Sequence, residues 1–122
     1  MRLKDQVAIV TAAAGAGIGQ AIVRRFASEG AQVVISDAHA KRPLDLAQEL
    51  SKTHGREYLG LQVDGTDKEQ VDKLVQMTVE KYGRVDILVT NAGINKLEAA
   101  WEMSAAPWAF VMRTTVYSTF YA

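Results

Sequence analysis

The sequence predicts an α/β fold in three layers, a parallel sheet with helices on both faces. Three observations carry the prediction. Four short β-rich runs recur along the chain, VAIV at 7–10, AQVVIS at 31–36, REYLGLQVD at 56–64 and VDILVT at 85–90. Each is followed by residues whose apolar positions recur at helical spacing. A glycine-rich turn, TAAAGAGIG at 11–19, joins the first run to the first helical stretch. Such alternation argues for parallel strands joined by right-handed crossovers, with both faces of the sheet covered. Apart from that alternation there is no linker, low-complexity tract or internal repeat.

The elements follow in order. After the strand at Val7–Val10, a helix is predicted to open at the glycine turn, with Ile18, Ile22, Val23, Phe26 and Ala27 inward and Gln20, Arg24, Arg25 and Glu29 elsewhere. Gly30 ends it in a left-handed conformation, and the second strand finishes at Asp37. A second helix is expected over Asp45–Gly55, with Leu46 and Leu50 inward, and leads to the third strand. Thr66 and Glu69 predict a capping box for the third helix, whose stripe is Val71, Leu74, Val75, Thr78, Val79 and Tyr82, with a stop at Gly83. The buried-strand candidate Val85–Thr90 then runs into Asn91-Ala92-Gly93. Ser104 is placed to cap a last helix, Pro107 falls in its first turn, and Trp108, Val111, Met112 and Thr115 are expected on its inner side. A fourth strand in such a sheet expects a further neighbour, so the fold reads as truncated after that strand and its helix.

Composition narrows the function classes. At 122 residues with 48% hydrophobic content the chain is long enough for one real core, though short for most doubly wound enzymes. Fourteen basic and fourteen acidic residues cancel, so no global field draws in nucleic acid or an anionic membrane. There is no cysteine, which removes disulfide and thiol chemistry, and no apolar run of the length of about 18 residues that a membrane span needs. A soluble, cytoplasmic protein is the expectation. His39 and His54 lack neighbours at metal-ligand spacing, so no metal is expected.

The glycine turn carries the chemistry. Parallel strands deliver their carboxyl ends to one rim, where a helix start directs free backbone amides at a bound anion. Gly15, Gly17 and Gly19 let the backbone approach a pyrophosphate, while Thr11 and Ala12 to Ala14 shape the loop floor. The plainer alternative is a tight turn that only lets the helix press on the sheet. Asp37 favours the ligand. It lies eighteen residues beyond Gly19, at a strand end, where a carboxylate accepts ribose hydroxyls. The same charge repels a 2'-phosphate and so favours NAD over NADP, although His39, Lys41 and Arg42 soften that preference. Gln20, not lysine, follows Gly19, which leaves no P-loop for ATP hydrolysis. A methyltransferase shares the early pattern but has no use for the later NAG segment.

Taken together, TAAAGAGIG at 11–19, Asp37 after VVIS, VD at 63–64, NAG at 91–93 and the helix holding Trp108 resemble the short-chain dehydrogenase/reductase family, a Rossmann-type fold, over the first half of a typical member. The resemblance implies cofactor contacts at Thr11, Gly15, Gly17, Ile18, Gly19 and Asp37 in the first part of the chain. It further implies that Asp64 binds the adenine amino group, that Val63 or Gly65 packs near the ring, that Asn91 stabilises the strand and loop beside the cofactor, and that Ala92 and Gly93 permit close approach to its ribose. The usual loop is T-G-x-x-x-G-x-G. Here Ala12 stands at the first glycine and Gly17-Ile18-Gly19 arrives one residue late, as in bacterial members that act on steroid-derived ring ketones or alcohols. Whether Gly15 takes over the unusual backbone angle of the missing glycine is a question for the structure.

No catalytic residue is assigned. Thr115 occupies the family's active asparagine position, seven residues after Trp108, and Ser118 stands where glycine is common. Tyr58, Tyr82 and Tyr117 are followed at the fourth position by Gln62, Asp86 and Tyr121, so the Tyr-x-x-x-Lys pair is absent. The resemblance therefore implies NAD-dependent hydride transfer between a secondary alcohol and a ketone, the partner a small hydrophobic, steroid-like molecule. On the same resemblance, residues 1–122 are expected to form the cofactor-binding portion of a single Rossmann-type domain without its carboxyl-terminal catalytic portion, and to be inactive alone. It also allows a homo-oligomer paired through the helix at Trp108–Thr119. The competing expectation is a noncatalytic dinucleotide-binding or assembly fragment.

Overall fold

All four β-rich runs form strands in the computed structural model, which describes residues 1–122. In order the elements are β1 (Val7–Val10), α1 (Ile18–Ser28), β2 (Gln32–Asp37), α2 (Arg42–His54), β3 (Leu59–Gln62), α3 (Lys68–Tyr82), β4 (Ile87–Val89) and α4 (Ala105–Met112). A π-helical stretch, Arg113–Tyr117, continues α4 into a last turn, α5 (Ser118–Tyr121). The strands form one sheet in the order β3-β2-β1-β4, every pair parallel. The chain thus steps outward from β1 through β2 to β3, then crosses back to lay β4 on the other side of β1. The carboxyl ends of β1 and β4 meet at that reversal, paired at Val10 and Val89. No helix is long and apolar enough to cross a membrane.

Alternation along the central strands divides the core in two. Val10, Val33 and Ile35 join Val23, Ala27, Leu46 and Leu50 under α1 and α2. Ile9 and Val34 point the other way and meet Val63, Val71 and Leu74 under α3. Since β1 and the middle of β2 are covered on both faces, their sequences read as continuous apolar runs.

Several local expectations are corrected. Helix α2 starts at Arg42, ahead of Asp45, because Pro43 fits a first turn that lacks amide partners anyway. His39 Nδ1 accepts the Lys41 and Arg42 amides at 3.1 and 3.2 Å, a cap that no sequence pattern announces. Helix α3 is capped by Asp67, whose Oδ1 accepts the Glu69 and Gln70 amides, and not by Thr66. The Thr66 hydroxyl is taken by Asp64 Oδ1 at 2.7 Å. The third strand is shorter than 56–64, since the Tyr58 amide leaves the ladder for Ser51 Oγ. The fourth is shorter than 85–90, the Asp86 carboxylate taking the Val7 amide in place of a ladder bond, and it is not the buried strand expected: at the sheet edge, Leu88 is exposed and Ile87 and Val89 are half-buried.

The helical stripes are narrower than expected. Ile18 is 75% exposed, because the row Ile18, Ile22, Phe26 overhangs the rim at its first member, and Val79 is 45% exposed on the flank of α3. The last helix is only partly covered. Of the residues expected on its inner side, Trp108 is 61% exposed and Thr115 is exposed, while Val111 and Met112 are half-buried, and no residue of α4 is buried. Further along, Thr114 and the buried Ser118 line a cleft, while Tyr121 and Ala122 pack against the core under α3. Ser104 stands at the cap position but makes no side-chain capping bond.

Candidate functional site

Where β1 and β4 end side by side, the two following loops are sewn together. The Thr11 amide donates to the Val89 carbonyl at 3.0 Å, and its hydroxyl accepts the Asn91 amide at 3.0 Å. Asn91 Nδ2 in turn donates to the Ala12 carbonyl at 3.0 Å. Thus Asn91 braces the two strand ends.

The glycines divide by task. A Cβ on Gly19 would lie 2.5 Å from Asn91 Nδ2 and 2.9 Å from both the Ala12 carbonyl oxygen and the Ala13 Cα, so only glycine lets α1 approach the sheet here. A Cβ on Gly17 would meet nothing within 4 Å. Gly17 precedes the first turn of α1, which has neither a side-chain cap nor an acidic residue. Its amides carry the helix's positive end toward open space, the arrangement that suits a phosphate. The two glycines thus differ: Gly19 is held by close packing, while Gly17 borders open space. Gly15 does not assume the left-handed angle of the missing glycine; Ala12 itself takes it, at φ 50°.

Asp37 holds the far side of the loop. Its Oδ2 accepts the Ala14 amide and its Oδ1 the His39 amide, each at 3.0 Å. A carboxylate has about four acceptor positions, so two stay available after these bonds. Next along the rim, the Val63 amide donates to the Asp37 carbonyl at 2.8 Å. Asp64 is held by Thr66 and by Gln70, whose Oε1 accepts the Asp64 amide at 2.8 Å. Arg42 Nη1 reaches to 3.9 Å from the Cβ position of Gly15, bringing a cation over the loop.

Between these loops opens a cleft of about 430 Å³. Thr11, Asp37, Val63, Asp64, Ala92 and Gly93 line it, as the sequence pattern requires of a shared site. Gly15, Gly17, Ile18, Gly19 and Asn91 do not; they form the loop beside it and the support below. The far wall is Phe110, Thr114 and Ser118, which sequence reasoning had not placed in the site. Their four-residue spacing was the available signal, obscured by the more apolar side bearing Trp108 and Val111. Ser118 fits closely there, its Cβ 3.1 Å from where a Cβ on Gly65 would lie. The groups with displaced pKa values lie elsewhere. Burial, followed by the Glu57 charge, pushes Tyr82 up to about 12, and the Arg84 guanidinium with the Val7 amide holds Asp86 below the usual carboxylate range.

Comparison with known proteins gives a consistent picture. A family model described as short chain dehydrogenase matches residues 6–122. The (5R,7aS)-5-hydroxy-7a-methyl-1-oxo-2,3,5,6,7,7a-hexahydro-1H-indene-carboxyl-CoA reductase of Mycobacterium tuberculosis is 41% identical over 120 residues, covering 98% of this chain and 46% of that protein. Meso-2,3-butanediol dehydrogenase of Serratia marcescens is 38% identical over 109 residues, covering 88% of this chain and 41% of that one. A crystal structure of a short chain dehydrogenase from Mycobacterium smegmatis superposes with a TM-score of 0.92 at 41% identity, covering 99% of this chain and 50% of that chain. This chain spans about half the length of the proteins it matches.

Proposed function

The chain belongs to the short-chain dehydrogenase family, and from that premise we propose that its cleft holds the adenosine end of NAD for hydride transfer between a secondary alcohol and a ketone. The observation that carries the reading is the position of Asp37. It ends β2 on the wall shared with Asp64 and Gly93, and it is tied through the Ala14 amide to the glycine loop.

The residues fit the group. Open space above Gly17, beside an uncapped helix start, accommodates a diphosphate. Asp37 accepts the ribose hydroxyls, Asp64 accepts the adenine amino group, and Val63 with Gly65 flanks the ring. Thr11 and Asn91 fix the strand ends so that Ala92 and Gly93 stand close to the ribose. Gly15, Ile18 and Gly19 complete the loop, Gly19 by letting the helix start sit low. When bound, the nicotinamide gives or accepts the hydride. The Asp37 charge disfavours a 2'-phosphate, and Arg42 limits that discrimination.

Residues 1–122 contain no Tyr-x-x-x-Lys. They act as the cofactor-binding portion of one domain, and this stretch alone binds dinucleotide without turning a substrate over. The identity to a reductase named for a methylated bicyclic ring ketone, together with the TAAAGAGIG loop, supports an alicyclic, steroid-like substrate. Calorimetric titration tests the cofactor assignment. NAD binds more tightly than NADP, and Asp37→Ala weakens NAD by about tenfold or more, as loss of hydrogen bonds to a charged acceptor implies. Equal affinities for the two dinucleotides in the unmodified protein would remove the ribose assignment.

A further inference from the structure

Residues 38–41, the turn between β2 and α2, are exposed and have no regular structure, so side chains fix their course. Gln62 Nε2 donates to the Ala38 carbonyl at 3.1 Å, and the His39 amide donates to Asp37 Oδ1. The Lys41 and Arg42 amides then converge on His39 Nδ1. No capping bond comes from the Lys41 side chain, although Lys41 immediately precedes α2, and Pro43 has no amide to satisfy.

An imidazole nitrogen that accepts two amides carries no proton, so the ring is neutral with its hydrogen on Nε2. A second proton would set an N–H against two N–H donors at the positive end of a helix. Histidine is the side chain that ordinarily changes charge between about pH 5 and 8, whereas an asparagine or serine cap does not titrate there. The charged side chains about the turn are Asp37 on β2 and Lys41, Arg42 and Asp45 beside it, with Asp45 paired to Lys41 at 4.0 Å. From β3 comes the neutral Gln62, and the glycine loop at 11–17 brings no charged side chain.

The turn reaches the cleft through Asp37. His39 does not line the cleft, but Asp37 and Ala38 do. Two amides hold the Asp37 carboxylate, that of His39 and that of Ala14 in the glycine loop. Without its cap the turn no longer fixes the His39 amide, and the carboxylate keeps only the loop-side bond.

We propose that His39 is a positioning residue: its neutral ring caps α2 and, through its own amide, holds the Asp37 carboxylate in place, a grip released when the ring takes a proton. It touches no ligand. Its effect on cofactor rests on the dinucleotide reading above, whereas the cap itself does not.

The experiment follows the ring nitrogens by NMR and NAD binding by calorimetry, at about pH 8 and about pH 5. It compares the unmodified chain with His39→Asn and His39→Ala. The His39 signals are those missing from His39→Asn, in which His54 is the one remaining histidine. At the higher pH they show the proton on Nε2 and none on Nδ1. NAD affinity of the unmodified chain falls about three- to tenfold at the lower pH, the size of one lost cap. Asparagine caps without titrating, so His39→Asn keeps the unmodified chain's higher-pH affinity at both values. His39→Ala binds about three- to tenfold more weakly at both, which separates the cap from a general effect of acid. A proton on Nδ1 at the higher pH overturns the cap. The same fall in His39→Asn, or no fall in the unmodified chain once its ring is protonated, overturns the hold on Asp37. If the unmodified chain binds no NAD, the cofactor reading falls and the ring signals alone decide the cap.

Discussion

Alanine at Gly19 and alanine at Gly17 are chemically the same change two residues apart, yet the structure gives them opposite consequences. At Gly19 the added methyl would sit 2.5 Å from Asn91 Nδ2, and 2.9 Å from a backbone oxygen and a backbone carbon. Asn91 can swing away only by giving up its bond to the Ala12 carbonyl, and the two backbone atoms cannot move without shifting the loop. Overpacking of this kind costs about 1–3 kcal/mol, and the lost hydrogen bond adds roughly 0.5–1.5 kcal/mol. Reduced freedom of the unfolded chain returns about 0.4–1 kcal/mol, leaving a net loss of roughly 0.5–4 kcal/mol. At Gly17 the backbone is extended, at φ −156°, and the methyl meets nothing. There the same unfolded-state gain applies unopposed, so Gly17→Ala is neutral or up to about 1 kcal/mol more stable. Urea denaturation of both variants, with equal slopes, measures the contrast. Dinucleotide titration adds the second half: Gly17→Ala, though stable, binds NAD more weakly because the methyl occupies the space above the helix start. A Gly19→Ala protein as stable as the unmodified one would refute the packing assignment. A Gly17→Ala protein with undiminished NAD affinity would refute the phosphate assignment.

Three further outcomes follow from the structure. Ala12 holds a left-handed angle that disfavours an L side chain by about 1–2 kcal/mol, so Ala12→Gly is neutral to roughly 1 kcal/mol stabilising after its unfolded-state entropy is counted. Ala47→Gly, buried within α2, is instead destabilising by about 1 kcal/mol in the same denaturation experiment. Asp86 has a carboxyl pKa held below the unfolded value by Arg84 and by the Val7 amide. Its stabilisation is therefore complete above the ordinary carboxylate range and is lost as pH falls through the folded pKa. Stability measured from pH 6 to pH 2 falls less steeply in Asp86→Asn, and an unchanged acid limb would contradict the assignment.

The order of strands and helices was legible because Val7–Val10 and Val33–Ile35 are covered on both faces and so read as unbroken apolar runs. Residue-level details depended on contacts between distant segments. Nothing local distinguishes Thr66 from Asp67 as a cap until Asp64 claims the Thr66 hydroxyl. Nor does spacing alone orient the last helix, where Trp108 and Phe110 are both exposed and Val111 and Met112 only half-buried. In the site, Thr11, Asp37, Asp64 and Gly93 were readable from type and order along the chain. The division of labour between Gly17 and Gly19 was not, since it depends on Asn91, seventy-two positions beyond Gly19. Ala12 shows the limit of pattern reasoning: the alanine takes the strained angle itself instead of passing it to Gly15.

A crystal structure of this chain grown with NAD tests the central claim most directly. The diphosphate is predicted to lie on the first amides of α1 beside Gly17, with a ribose hydroxyl bonded to the Asp37 carboxylate. A dinucleotide bound away from both groups would contradict the account.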